Sequence, residues 1–357
     1  MKVNQYKLLL FCAMLSFYAC KKEEQSSVNK ISETSTLHAL AADSGQRALR
    51  VITIAGKVGV QGYVDGAGAQ ARFTGPGGIE LMDDGTIYIA DTYNKKIRKI
   101  MPDNTVSTVN IPKSDDGQSL VDPSIIRITK DGTMNILCVA YRNLKHPVWI
   151  IKPDGKVLTP PKHSDADKKY SYEYLDLEKD PYTNFLWIGG VRYTYINNVG
   201  YATGELEKFL IDGQGTIGTD IIFAPTQITG GQLPVITSFF CGYNAVKYVV
   251  MAWRVNYKYT ADGKFAPLNF DKPFSDVSSI IATKDSRTLY VAQSGIISSI
   301  FNGKVTYLVG PHKNLHGKDG IGVDADVYAF KLALSKDEST LYFTDGYASV
   351  RKLILRN

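Results

Sequence analysis

The chain has 357 residues, of which 44% are hydrophobic, 21% charged and 31 glycine; this composition excludes a disordered chain and a disulfide-built miniprotein and suffices for a large core. Its formal charge of +6 arises from 41 Lys and Arg against 35 Asp and Glu, spread along the chain without the basic blocks that nucleic-acid binding by counterion release requires. Nucleic acid is therefore not an expected partner.

At the amino terminus, Lys2 and Lys7 precede an apolar run from Leu8 to Phe17, too short to span a bilayer, and Tyr18, Ala19 and Cys20 follow. This is the pattern of a secretory leader over residues 1–19. A small residue before a cysteine at the end of such a run resembles the lipobox of bacterial lipoproteins, which implies that Cys20 carries the lipid anchor. Lys21-Lys22-Glu23-Glu24 resembles the charged tetrapeptide of surface-exported lipoproteins of Bacteroidota, and reads equally well as a solvated tether. Residues 20–48 form the expected lipidated Cys and flexible spacer, being rich in Ser, Thr, Lys and Glu. The expected location is the outer membrane, at the cell surface or otherwise on the periplasmic face, with the lipid as the only membrane contact.

From residue 49 the chain reads as short strands divided by turn residues. Leu49–Ala55 is a strand with no partner before it. Gly77–Leu81, Thr86–Ala90, Lys96–Met101 and Val106–Asn110 follow as four strands, with turns at Asp83-Asp84-Gly85 and Asp91–Asn94. The second of these apolar runs, Ile87–Ala90, recurs as Ile136–Ala140, Phe185–Gly189, Tyr248–Ala252, Leu289–Ala292 and Leu341–Thr344. The widest interval, between the third and fourth runs, calls for an enlarged loop or hairpin within Tyr193–Pro234. A shift of 254 residues also superposes the two ends: Val51–Gly56 on Val305–Gly310, Asp65-Gly66 on Asp319-Gly320, Ala71 on Ala325, and Tyr88–Asp91 on Tyr342–Asp345. With one residue dropped, Ile97–Ile100 falls on Val350–Leu353.

Asp65-Gly66, Ala71-Arg72-Phe73, Pro76–Ile79, Tyr88–Asp91, Asn94, Ile97–Ile100 and Pro102-Asp103 together resemble the NHL repeat. The likeness is strongest over Gly56–Val109, recognisable in Val305–Leu353 and thin between them. It implies an all-β, six-bladed β-propeller of the NHL/TolB-like kind, with residues 49–357 as one domain. Since the chain stops after a third strand, Val350–Leu355, the strand Leu49–Ala55 is expected to complete the last blade and close the ring. Cys138 and Cys241 then fall in separate blades and are expected as two buried thiols.

In such a blade the turn after the second strand shares a face with the loop leading into the first. Those turns place Tyr141-Arg142, Arg192-Tyr193 and Trp253-Arg254 in three consecutive blades. Aromatic faces suit sugar rings or peptide side chains, and guanidinium forks suit carboxylates, phosphates or hydroxyls, so these six are the candidate ligand contacts. Asp91, Asn94 and Asp345 read as turn caps rather than metal ligands, as do Asp65, Asp319 and Asp131. His312 and His316 lie between Pro311 and Gly317 and read as loop surface. No catalytic residue, cofactor or metal is assigned, because the chain has no Gly-x-Ser-x-Gly, no spaced Cys/His pair and no phosphate loop.

The resemblance therefore implies a non-enzymatic, monomeric binding or scaffold module for a glycan, peptide or protein. A six-bladed enzyme of the metal-dependent lactonase or lyase type is the alternative. That alternative needs carboxylate, Asn or His donors from several blades, whereas the positions matched to Asp91 in blades two to five read Tyr141, Gly190, Trp253 and Gln293. An architectural subunit of an outer-membrane assembly is a further alternative.

Overall fold

The computed structural model describes residues 49–138, 144, 146–160, 170–196, 199–209, 219–224, 234–310 and 317–356. The leader, Cys20, the tether, Tyr141, Arg142, His312 and His316 lie outside them. Six antiparallel sheets follow one another along the chain. After β1 (Arg50–Gly56), blade one comprises β2 (Pro76–Leu81), β3 (Ile87–Asp91), β4 (Lys96–Ile100) and β5 (Val106–Val109). Blade two holds β6 (Pro123–Ile128), β7 (Met134–Cys138), β8 (Val148–Ile151) and β9 (Val157–Leu158). Blade three has β10 (Tyr170–Lys179), β11 (Leu186–Ile196), β12 (Val199–Phe209) and β13 (Thr219–Phe223). Blade four is built from β14 (Ile236–Cys241), β15 (Lys247–Met251), β16 (Val255–Tyr259) and β17 (Phe265–Pro267). Blade five has β18 (Val277–Ala282), β19 (Thr288–Gln293), β20 (Ile296–Phe301) and β21 (Lys304–Val309). The short β22 (Gly320–Ile321) precedes blade six, which has β23 (Ala329–Leu334), β24 (Thr340–Asp345) and β25 (Ser349–Ile354).

The first strands of the blades, β2, β6, β10, β14, β18 and β23, pack against one another in turn, and β23 returns to β2. The molecule is a six-bladed β-propeller. β1 pairs with β25 from Arg50 opposite Ile354 to Gly56 opposite Ser349, and so supplies the fourth strand of blade six, as the sequence implied. The core lies between blades, where apolar faces of neighbouring sheets meet: Ile54, Phe73, Ile89 and Val350 join blade six to blade one, and Leu137, Ile150, Leu177 and Ile188 join blade two to blade three. Cys138 and Cys241 are both free and buried, and burial pushes both thiols above their ordinary range.

Each first strand starts opposite the end of the second, as Pro76 does opposite Asp91 and Val277 opposite Gln293. The turns from second to third strand and the loops between blades therefore share one face, called the upper face below. The chain enters β1 and leaves β25 on the lower face.

All six first strands also shift register, near their start between Pro76 and Ile79, Pro123 and Ile125, Ile236 and Ser238, Val277 and Ser279, and Ala329 and Leu332, and midway along β10 between Tyr174 and Asp176. Such bulges re-aim side chains. Lys331 of blade six meets Asp176 of blade three, diametrically across the ring, with Nζ 3.1 Å from Oδ2. The same oxygen accepts the Ser238 hydroxyl at 2.7 Å and the Phe239 N–H at 3.1 Å. Below this contact, Arg127 of blade two grips Glu178 of blade three with two guanidinium nitrogens, and Lys179 reaches Glu80 of blade one at 2.8 Å. A buried ion pair must be well hydrogen-bonded to offset its desolvation, and each of these is.

Candidate functional site on the upper face

The acidic residues of the repeat are structural. Arg98 of β4 is wholly buried and donates through Nη1 to Asp91 Oδ2 at 2.8 Å and through Nη2 to Asp65 Oδ1 at 2.6 Å. Asp65 in turn accepts the N–H of Thr108 in β5 at 3.0 Å. Blade six repeats the device: Arg351 holds Asp345 at 2.8 Å and Asp319 at 2.9 Å, and Asp319 accepts the N–H of Thr53 in β1 at 2.8 Å. Asp91 and Asp345 do cap backbone N–H groups, of Thr74 and Tyr347, each at 2.8 Å. Asp65 and Asp319 instead tie the interblade loops over the outermost strands, which corrects the turn reading for those two. Burial pushes Asp91 and Asp345 upward, against the pull of the Arg and backbone hydrogen bonds. Asp131 is the turn cap expected, accepting from the N–H and hydroxyl of Thr133 and held at about 2 by its hydroxyl and backbone hydrogen bonds.

Strand register places Cys138, Met251 and Gln293 opposite the first residues of their blades, where Asp91 stands in blade one, and Gly190 opposite Tyr174, at the register shift within β10. Tyr141 and Trp253 are therefore not the counterparts of Asp91. None of these four residues is a carboxylate.

Four of the six candidate ligand contacts are described. Arg192 and Tyr193 do not follow a strand, as expected, but lie within β11, which runs on to Ile196 and turns back as β12. This long hairpin is the enlargement expected after the third apolar run, and it begins before Tyr193. Successive strand residues face opposite sides, so the two side chains diverge. Arg192 lies beside Glu205, Nε to Oε2 at 3.4 Å, and the Tyr193 hydroxyl donates to Glu173 at 3.4 Å. Behind Arg192, Glu205 and Glu207 are only 3% and 2% exposed, and their carboxyl groups lie within hydrogen-bonding reach of each other. Burial and the neighbouring Glu205 carboxyl push Glu207 up to about 9, against the attraction of Arg192.

Trp253 and Arg254 do occupy a turn on the upper face. Arg254 N–H donates to Met251 O at 3.1 Å within the three-residue turn between the paired Met251 and Val255, and Ala252 and Trp253 have φ of 51° and 59°. That geometry suits Asn or Gly; the corresponding turn of blade five is Ser294-Gly295. Trp253 is half-buried, its backbone N–H donating to the Thr237 hydroxyl at 3.1 Å, and Arg254 is exposed. Sequence reasoning passed over the tyrosines of the same face. Tyr93, 72% exposed, and Tyr347, at the position 254 residues on, both sit in second-to-third strand turns.

The fold and this face define the class: a β-propeller with six blades and loops gathered on one side. No protein-family model and no curated protein matches the chain. Among solved structures, it is similar to a Bacteroides thetaiotaomicron protein described as of unknown function, at a TM-score of 0.61 and 16% identity over 86% of this chain and 76% of that one. A Bacteroides ovatus protein described as an auxiliary nutrient binding protein matches at 0.59 and 12%, over 86% of this chain and 77% of its own. Virginiamycin B lyase from Staphylococcus aureus matches at 0.52 and 14%, over 79% of this chain and 95% of the lyase. At such identities the likeness is one of fold.

Proposed function

We propose that the protein is a lipid-anchored, surface-exposed and non-enzymatic binding module, an NHL-like propeller that holds a glycan, peptide or protein on its upper face. The observation that carries this reading is the Ala252-Trp253 turn. Two consecutive L-residues in the left-handed region cost roughly 1–2 kcal/mol each, and the turn sets a Trp and an exposed Arg at the surface where Gly would fit without strain. Strain of this kind gathers at functional sites. The description of the Bacteroides ovatus neighbour as nutrient-binding agrees with the reading.

A lactonase- or lyase-type enzyme would need donors converging on the axis. Asp176, which stands there, is already paired with Lys331. Among the described residues no group of three or more His, Cys, Asp or Glu is placed to hold a metal ion.

The test is titration of the purified full-length protein with oligosaccharide and peptide panels, repeated with a Trp253→Ala/Arg254→Ala variant. A soluble ligand whose affinity falls about tenfold or more in the variant, equivalent to roughly 1.4 kcal/mol, supports the module. Turnover of a lactone or lyase substrate with a tightly held divalent metal would replace it with the enzyme. A stable membrane-protein complex without any soluble ligand would leave an architectural subunit.

A further inference from the structure

On blades five, six and one the upper face carries tyrosine rings seated on glycine backbone. A Cβ at Gly75 would stand 2.4 Å from Cδ2 of Tyr93, and one at Gly317 would stand 2.8 Å from Cδ2 of Tyr347. Tyr328 lies against two glycines, Gly295 and Gly346, each of which would bring a Cβ to 2.8 Å of its ring. It meets Tyr347 edge-on, with centroids 6.1 Å apart. Gly75, Gly317 and Gly295 have φ of 63°, 84° and 80°, so a side chain there would be both strained and in collision with a ring. The rings are thus held in place before any ligand arrives, and ordering them adds little to the cost of binding.

The unpaired charge around Tyr93 and Tyr347 is basic. Lys57, Lys95 and Lys318 are exposed beside these turns, whereas Asp91, Asp345 and Asp326 are buried beneath them and the exposed Asp65 and Asp319 are paired with Arg98 and Arg351. Asp91 and Asp345 are held by Arg98 and Arg351, and Asp326 accepts the Gly317 N–H at 2.8 Å. The exposed acid near Tyr328, Asp276, takes the hydroxyl of Ser294 at 3.2 Å. Fixed aromatic faces at repeat-related positions in adjacent blades suit a ligand that itself repeats and offers flat C–H faces, and the lysine rim suits one that carries carboxylates.

We propose that Tyr93, Tyr347 and Tyr328 form a glycan-binding apron on which pyranose rings of an acidic, uronate-type polysaccharide stack, with Lys57, Lys95 and Lys318 meeting its carboxylates. This rests on the reading of the upper face as a binding surface and goes beyond it, adding a second site on that face away from Trp253 and Arg254.

Calorimetric titration of the full-length protein with oligogalacturonate and with a neutral cello-oligosaccharide of equal length tests it. The acidic chain binds, and more tightly than the neutral one. Tyr93→Ala and Tyr347→Ala each weaken it about tenfold or more, Tyr93→Phe keeps it, and Lys95→Gln weakens the acidic chain alone. Unchanged melting temperatures show that the variants remain folded. Affinity untouched by the tyrosine variants but lost in Trp253→Ala/Arg254→Ala would overturn the apron and leave the module standing. Equal affinity for the two chains would overturn the role of the lysines. If neither chain binds, the apron falls, and the peptide panel described above then decides the module separately.

Discussion

Glu205 and Glu207 place two carboxyl groups behind a single guanidinium, and one proton settles the imbalance. With Glu207 raised from 4.5 to about 9, the folded protein keeps a proton that the unfolded chain gives up. Its stabilising contribution is full below pH about 4.5, declines as the pH rises and is gone above about 9. Thermal unfolding across that window should therefore show a falling midpoint, and Glu207→Gln should flatten the slope and raise the midpoint at the alkaline end. A uniform loss of stability at every pH would contradict the shared proton. This pair could not be read from the sequence, since Glu205 and Glu207 look like ordinary solvated charges until β10 and β11 are known to set Tyr172, Tyr174 and Ile188 around them. The Asp-Arg-Asp ties were half legible. The repeat aligned Asp65 with Asp319 and Asp91 with Asp345, but their common partners, Arg98 and Arg351, come into reach only when a blade folds.

At the level of strands and turns, the hairpin of blade four holds Ala252 and Trp253 where left-handed backbone is required. Ala252→Gly relieves one of the two residues, partly offset by the greater freedom of the unfolded chain, for a net gain of about 0.5 kcal/mol. In a chain of this size that is about 1–2 °C in melting temperature, and scanning calorimetry would detect it; a lower temperature would mean that the turn is not strained. The second strands were legible from their apolar runs because alternating burial needs little context. β11 was cut short because Gly189-Gly190 looks like a turn. Gly190 is there for another reason: a Cβ on it would lie 1.9 Å from the carbonyl oxygen of Glu173 on β10, so only glycine lets the two strands approach. Reading that glycine as punctuation moved Arg192 and Tyr193 from a strand into a loop.

Across the whole ring, the number of blades and the way it closes were readable because both ends carry the repeat, while the axis was not. Lys331 and Asp176 lie 155 residues apart in two strands with no shared motif, and they meet only across the folded ring. Removing one member of such a buried pair leaves the other unpaired, so Lys331→Ala should cost about 3–5 kcal/mol, measured by denaturant unfolding. A loss below about 1 kcal/mol would show that water already solvates the axis.

The pairing of β1 with β25 also bears on how the chain can go astray. The two strands are separated by almost all of the ring, yet each is the other's neighbour. Contacts between such distant segments form slowly. Whenever that pairing is not made, both β25 and β1 are open edges able to pair with another copy of the chain.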